Sequence, residues 1–266
     1  MKKIICAILA VILMTAAVSC SANNESEDSA KNTSGTTDAG SGTVTDSDET
    51  GVSDTSAETD DPESSKAEPY SETFSDGSNS VTIIYPRFGD GEHELFDISL
   101  RGYAVQMYQS SGMMPEDGAL YEITSLEITY ESDILVSAVA EGHIINTTAG
   151  HDSYFAYTVN ADPATGRIYL DDELIGDLDT VKSAFADERF TQSYGIDGLM
   201  NEITYEDITQ SWRSDYGVFP DLYFTDDSFG VMAELAHALG GYAGFEIQIA
   251  EASEMINDTA KGLLKK

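Results

Sequence analysis

The chain is poor in the residues that usually announce chemistry. Of 266 residues, two are cysteine, one is tryptophan, four are histidine and 13 are lysine or arginine. Cys6 sits inside an apolar N-terminal run, so Cys20 is the one thiol outside it. A chain beginning at Cys20 has no disulfide, no cysteine-based metal site and no second thiol to act as a nucleophile. Without disulfides an exported domain rests on its core alone, and that core must be large. The histidines, His93, His143, His151 and His237, show no His-x-x-x-His spacing and no His-Glu-x-x-His, so the zinc-hydrolase motifs have no starting point. Gly-x-Ser-x-Gly, the phosphate-binding Gly-x-x-x-x-Gly-Lys loop and Gly-x-Gly-x-x-Gly are also missing.

Basic residues are the largest deficit. Against 48 acids they leave a net charge of −35. Nucleic acid needs Lys and Arg for its phosphates, and an anionic membrane surface needs the same, so both are excluded as partners of the protein surface. An acidic field of this size favours solubility and draws cationic partners. About −13 falls on residues 21–79 and about −24 on residues 80–266, with +2 from Lys2 and Lys3.

What is present begins with an export signal. Lys2 and Lys3 precede an apolar run over residues 4–18, roughly fifteen residues and short of the ~20 that span a bilayer. It ends in Ala17-Val18-Ser19-Cys20, which is similar to the bacterial lipobox, with Ala17 where Leu is usual. The expectation is a signal peptide over 1–19, lipidation of Cys20, and a protein tethered to the outer face of the cell membrane. Residues 20–79 are mostly Ser, Thr, Asp, Glu, Gly and Ala. Such composition cannot recover the entropy of ordering and predicts a disordered acidic tether, reaching about 40–45 Å as a coil. Tyr70 and Phe74, its only aromatics, are placed against the edge of the domain that follows.

From residue 80 the texture is that of a folded domain over 80–266. Val81-Thr82-Ile83-Ile84-Tyr85 predicts a strand stopped by Pro86. Phe96, Leu100, Tyr103 and Met107 recur at helical spacing, predicting a helix over 92–109. Residues 121–123 and 126–130 alternate in opposite phase, which a bulge at Thr124-Ser125 would reconcile. Strands are predicted over 134–145 and 153–159. A tight turn at Asp162-Pro163-Ala164-Thr165-Gly166 then returns into Arg167-Ile168-Tyr169-Leu170. Residues 171–216 read as acidic and partly helical. A hairpin turning at Asp226-Asp227, a strand from Phe245 and a C-terminal helix carrying Ala252, Met255, Ile256 and Leu263 complete the domain. Strands in runs with helices between them predict an α+β fold: an antiparallel meander with helices packed on one side.

No residue is nominated as catalytic, metal-binding or cofactor-binding. His151 beside Asp152 reads as a structural histidine. The acids around Asn160 fail the EF-hand pattern, because its fifth and sixth positions are Ala164 and Thr165. Carboxylate pairs for a hydrolase cannot be singled out among 48 acids. Trp212, the sole tryptophan, offers little for stacking sugars.

Several short motifs nevertheless carry a resemblance. Ile84-Tyr85-Pro86; Gly150-His151 followed by an aromatic strand, Asp162 and Thr165-Gly166; Tyr169-Leu170-Asp171-Asp172; Phe224-Thr225-Asp226 into Phe229-Gly230-Val231; and Tyr242-Ala243-Gly244 recur in this order. The domain resembles the RsiV-like extracytoplasmic family, domain of unknown function 3298, best known from the ectodomain of a lysozyme-responsive anti-sigma factor. One departure is Leu239-Gly240-Gly241-Tyr242, where the family often has Pro-Tyr. The resemblance implies a non-catalytic module without cofactor, here without anti-sigma or deacetylase segments. It also implies a ligand such as lysozyme or another cationic wall-active protein, the alternative being a cell-wall polymer.

Overall fold

The computed structural model describes residues 66–146 and 151–264. Cys20, the signal segment, most of the tether and Gly150 lie outside these residues, and of His151 only the backbone is described.

The fold is α+β, built on two sheets with a bulge where the sequence changes phase. The larger sheet has the order β1 (Glu68–Asp76), β2 (Asn79–Arg87), β3 (Leu120–Ser132), β4 (Leu135–Asn146) and β5 (His151–Ala161). The pairing of β2 with β3 is parallel and the rest is antiparallel. The expected simple meander is therefore interrupted. A parallel pair needs a crossover of about a dozen residues or more, and residues 88–119 supply one that contains α1 (Glu94–Ser110). The β3 register shifts between Ile123 and Ser125, as the phase change predicts, and again between Ile128 and Tyr130.

Folded structure begins earlier than the 79/80 boundary. Glu68–Asp76 is an edge strand paired along its whole length with β2. Its polar residues alternate with Tyr70 and Phe74, which meet Tyr85 and Tyr108 edge-on at 5.6 and 6.2 Å between ring centroids. Arg101 on α1 clamps Glu72 through two hydrogen bonds of 2.7 and 2.6 Å. Pro86 does not stop β2 but pairs with Pro69 of β1. It lies beyond Thr82, where pairing with β3 ends, so its missing N–H breaks no ladder there.

The smaller sheet has the order β6 (Thr191–Tyr194), β9 (Tyr242–Gln248), β8 (Ser228–Glu234) and β7 (Asp221–Phe224), all antiparallel. The hairpin turning at Asp226-Asp227 is present, and β6 lies inside the stretch 171–216 that composition predicts as partly helical. The return after the Asp162 turn is one bridge, Ala161 to Ile168, rather than a strand. Gly166 takes the left-handed conformation at φ +68° that this turn demands. Helices α2 (Asp171–Leu174), α3 (Leu178–Ala186), α4 (Tyr205–Thr209) and α5 (Asp258–Leu263) surround the smaller sheet. In place of one C-terminal helix, Ala252, Met255 and Ile256 lie in turns before the short α5, and all three are buried.

Strand periodicity sorts the side chains into layers. On the outer face of the larger sheet, Val81, Ile83, Tyr121, Ile123, Val136, Ala138, Ala140, Tyr157 and Val159 pack against Phe96, Leu100, Ala104 and Tyr108 of α1. On the outer face of the smaller sheet, Leu222, Phe224, Phe229, Val231, Phe245 and Ile247 pack against Phe185, Ile208, Trp212 and Ala260. Between the sheets lies a small core of Val139, Tyr223 and Met232. The order is helix, sheet, sheet, helices.

Candidate functional site

The inner faces of the sheets carry more polar groups than either outer core, and these groups bond both across the gap and within each sheet. Tyr194 donates to Glu127 at 2.7 Å, Tyr242 to Glu141 at 2.6 Å, and Ser125 to the other oxygen of Glu141 at 2.9 Å. Asn160 donates to the Leu222 carbonyl at 2.6 Å, and the Phe224 N–H donates to Ser137 Oγ at 3.0 Å. Tyr223 donates to Glu246 at 3.1 Å and shares a 2.7 Å bond with Ser193. Desolvation, and then the bonded carboxylates, push the Tyr194 and Tyr242 phenols well above their ordinary range, so they stay neutral donors. Such bonds are directional and fix one sheet over the other.

Where this seam opens, a groove of about 510 Å³ lies at the flank of the two sheets, beside the edge strands β5 and β7. Its walls include Tyr154 and Phe155 of β5, Trp212, Phe219 and Tyr242, with Asp221 and Glu234 among its polar groups. Each is positioned by a local cause. Asp221 opens β7 in phase with Tyr223, so it points to the inner face, and Pro220 before it is buried. Glu234 and Tyr242 face each other at the ends of β8 and β9. Trp212 is set by Phe185 at 5.3 Å between rings and by Lys182, whose ammonium donates to the Trp212 carbonyl. Gly241, at φ +85°, carries its backbone against the Tyr154 carbonyl so closely that a Cβ would collide with it. His237 stacks parallel to Tyr154 at 6.5 Å on the rim. Among the described residues, the lining contains no lysine or arginine.

Asp221 is the unusual group. Its side chain keeps a narrow contact with solvent and is otherwise enclosed. Among the described residues, no hydrogen-bond donor reaches its carboxylate. Desolvation, with Glu234 adding like charge, raises its pKa from 3.8 to about 6. Asp171 at the start of α2 is a second raised acid. Desolvation and the Asp221 charge lift it from 3.8 to about 7 against the Leu222 N–H, which donates to it at 2.8 Å.

Two raised acids suggest a hydrolase pair, but they face different openings. Asp221 lines the groove, while Asp171 lines a separate depression of about 280 Å³ with Leu170, Asp172, Gly217 and Phe219. Asp171 is also committed as acceptor of the Leu222 amide, a bond that fastens α2 to β7. Retaining or inverting hydrolysis needs both carboxyls on one bond of one substrate, and this arrangement does not offer that.

A larger depression of about 690 Å³ lies elsewhere, lined by Lys66, His93, Glu131, Asp133 and Asp226 among others. There Lys66 offsets the acids, and Glu131 is engaged by the Ala67 N–H at 2.8 Å. Size alone favours this second opening, whereas unsatisfied charge and aromatic walls favour the groove.

Of the groups singled out from sequence, Trp212 and His237 come together in the groove. His143 and Tyr154, paired between β4 and β5, lie on the same inner face with rings 6.1 Å apart. Glu122 comes within 3.3 Å of His143 Nε2, although the geometry does not make a hydrogen bond. His93 is remote, stacked on Phe88 at 4.0 Å and bonded to Asp90. No group of three or more potential metal ligands occurs among the described residues. Asp221 and Glu234 were not found from sequence. The one available signal was an acid in phase with a buried strand face, Asp221 two residues before Tyr223.

No family model matches the chain, and no curated protein matches it. Among solved structures, the chain is similar to a DUF3298 family protein from Pseudomonas aeruginosa PAO1. The identity is 12%, the match covers 73% of this chain and 95% of that one, and the TM-score is 0.43.

Proposed function

We propose that the chain is an extracytoplasmic binding module, held to the outer face of the membrane through Cys20, that captures a cationic wall-active protein without chemistry of its own. The observation that carries this reading is the groove beside β5 and β7, in which, among the described residues, an enclosed carboxylate has no donor and the walls carry no lysine or arginine. The surrounding domain adds an excess of about −24, a field that steers basic proteins toward acidic clefts. The tether composition suits presentation away from a membrane. No helix among the described residues is long and apolar enough to cross one.

Lysozyme, the ligand implied by the family resemblance, is the first candidate. The test is calorimetric titration of the chain with lysozyme at low and at physiological salt, beside an unrelated protein of similar positive charge. Saturable binding to lysozyme that outlasts physiological salt, with the control released, is the expected result. Equal, salt-labile binding of both reduces the domain to an unspecific acidic surface. Absence of lysozyme binding even at low salt removes this partner, and co-sedimentation with purified wall sacculi would then favour the polymer.

A further inference from the structure

We infer that the groove is a receptor for a guanidinium group, so that an arginine side chain of the partner inserts between Tyr154, Phe219 and Tyr242 and ends on the carboxylate of Asp221. This deepens the reading above and rests on it.

Three independent features of the groove converge on this ligand. The first is the unanswered carboxylate. Among the inner-face acids, Glu127 has Tyr194, Glu141 has Tyr242 and Ser125, and Glu246 has Tyr223, while Glu122 and Glu234, without a donor among the described residues, stand more open to solvent. Asp221 has none among the described residues, and its open side is the groove. A carboxylate desolvated without a donor weakens the fold. That cost is removed when a ligand brings N–H donors and positive charge, and a guanidinium brings both in a fork that matches a carboxylate. Glu234 on the next strand adds a second negative charge at the mouth.

The second feature is the aromatic lining. Tyr154, Phe219 and Tyr242 line one opening, with Phe155 and Trp212, whose rings are packed into the outer cores, behind them. Rings attract cations through their faces, and a planar, weakly hydrated guanidinium stacks on them where a strongly hydrated ammonium does not. The protein itself makes such contacts: Arg87 lies 4.4 Å from the centre of the Tyr70 ring and Arg213 4.3 Å from that of Tyr216. The third feature is dimension. About 510 Å³ lies within the range of small-molecule sites and admits a long side chain with part of its backbone, not a folded surface. A neutral sugar would use the rings but leave the Asp221 charge unanswered, which places it second.

Trp212 makes the test direct, since it is the sole tryptophan and lines the groove. The chain is titrated with N-acetyl-arginine amide, the isosteric neutral citrulline amide, N-acetyl-lysine amide and a short N-acetylglucosamine oligomer, following Trp212 emission. The expected result is a saturable change with the arginine amide, at least tenfold weaker with citrulline and several-fold weaker with lysine. Asp221→Asn should weaken the arginine amide at least tenfold, and Phe219→Ala several-fold. Equal responses to arginine and citrulline, or a response to the glycan oligomer alone, overturn the inference on the unaltered chain whatever the variants do. A competition separates the two levels. If lysozyme binds and excess arginine amide displaces it, both readings hold. If lysozyme binds and is not displaced, the groove assignment fails while the module reading stands; if nothing cationic binds, both fail.

Discussion

Replacing Asp221 by asparagine separates what the acid does for the fold from what it does for a ligand. In the folded chain Asp221 keeps its proton to about pH 6, whereas its ordinary value is 3.8. Between these values the folded state binds more protons than the unfolded one. The contribution of this group to stability is therefore greatest below pH 4, falls as the pH rises, and stops falling above about 6. At 1.36 kcal/mol per tenfold change in proton affinity, the penalty at pH 8 is at most about 3 kcal/mol. Solvent at the groove mouth reduces it, so about 1–3 kcal/mol is expected. Asparagine keeps the shape and removes the charge. Its effect on Asp171, whose pKa of about 7 is raised partly by Asp221, has the same sign. Urea unfolding at pH 4, 6 and 8 should show the variant more stable than the parent at pH 8, the gap closing by pH 4. A variant no more stable at pH 8, or a gap independent of pH, would refute the reasoning. A stabilising substitution that abolishes binding is the signature of a residue kept for function.

Other outcomes follow from the packing. Gly230 has the Tyr223 ring directly over its Cα, so Gly230→Ala must push that ring out of the inter-sheet core. The expected loss is about 2–4 kcal/mol in urea unfolding, and a loss under about 0.5 would show the ring free to move. Phe96→Ala opens a cavity between α1 and the larger sheet and should cost about 3–5 kcal/mol; an unchanged midpoint would contradict the layer order. Tyr242→Phe removes the bond to Glu141 and should lower stability by about 1–2 kcal/mol, with no change expected if the seam does not hold the sheets together. A chain started at residue 80 lacks β1 and bares the flank of β2, so it should aggregate or melt earlier than one started at residue 66. Equal melting curves would return β1 to the tether.

The sequence was most informative where one face of an element is buried and the other is not. The opposite phases around Thr124 predicted the β3 bulge, and of the spacing Phe96, Leu100, Tyr103 and Met107 the first two lie on the buried face of α1 with the others half-buried beside it, because burial imposes a period that composition cannot hide. Edge strand β1 was illegible for the converse reason. Most of its residues are exposed, so Glu68-Pro69-Tyr70-Ser71-Glu72 has the composition of the tether before it. The parallel β2–β3 pairing left no local trace, since pairing direction depends on where α1 lies. The groove could not be read because Tyr154, Trp212, Asp221 and Tyr242 are far apart in the chain. Asp221 was one acid among 48, distinguished only by being denied a donor. Enclosure of that kind is a property of packing, not of spacing.

The most direct test of the account is calorimetric titration of lysozyme into the chain and into its Asp221→Asn variant at physiological salt. Binding by the parent, with a loss of at least tenfold in the variant, is the predicted result. Equal affinities would contradict the groove as the seat of binding, and absence of binding to the parent would contradict capture of this partner altogether.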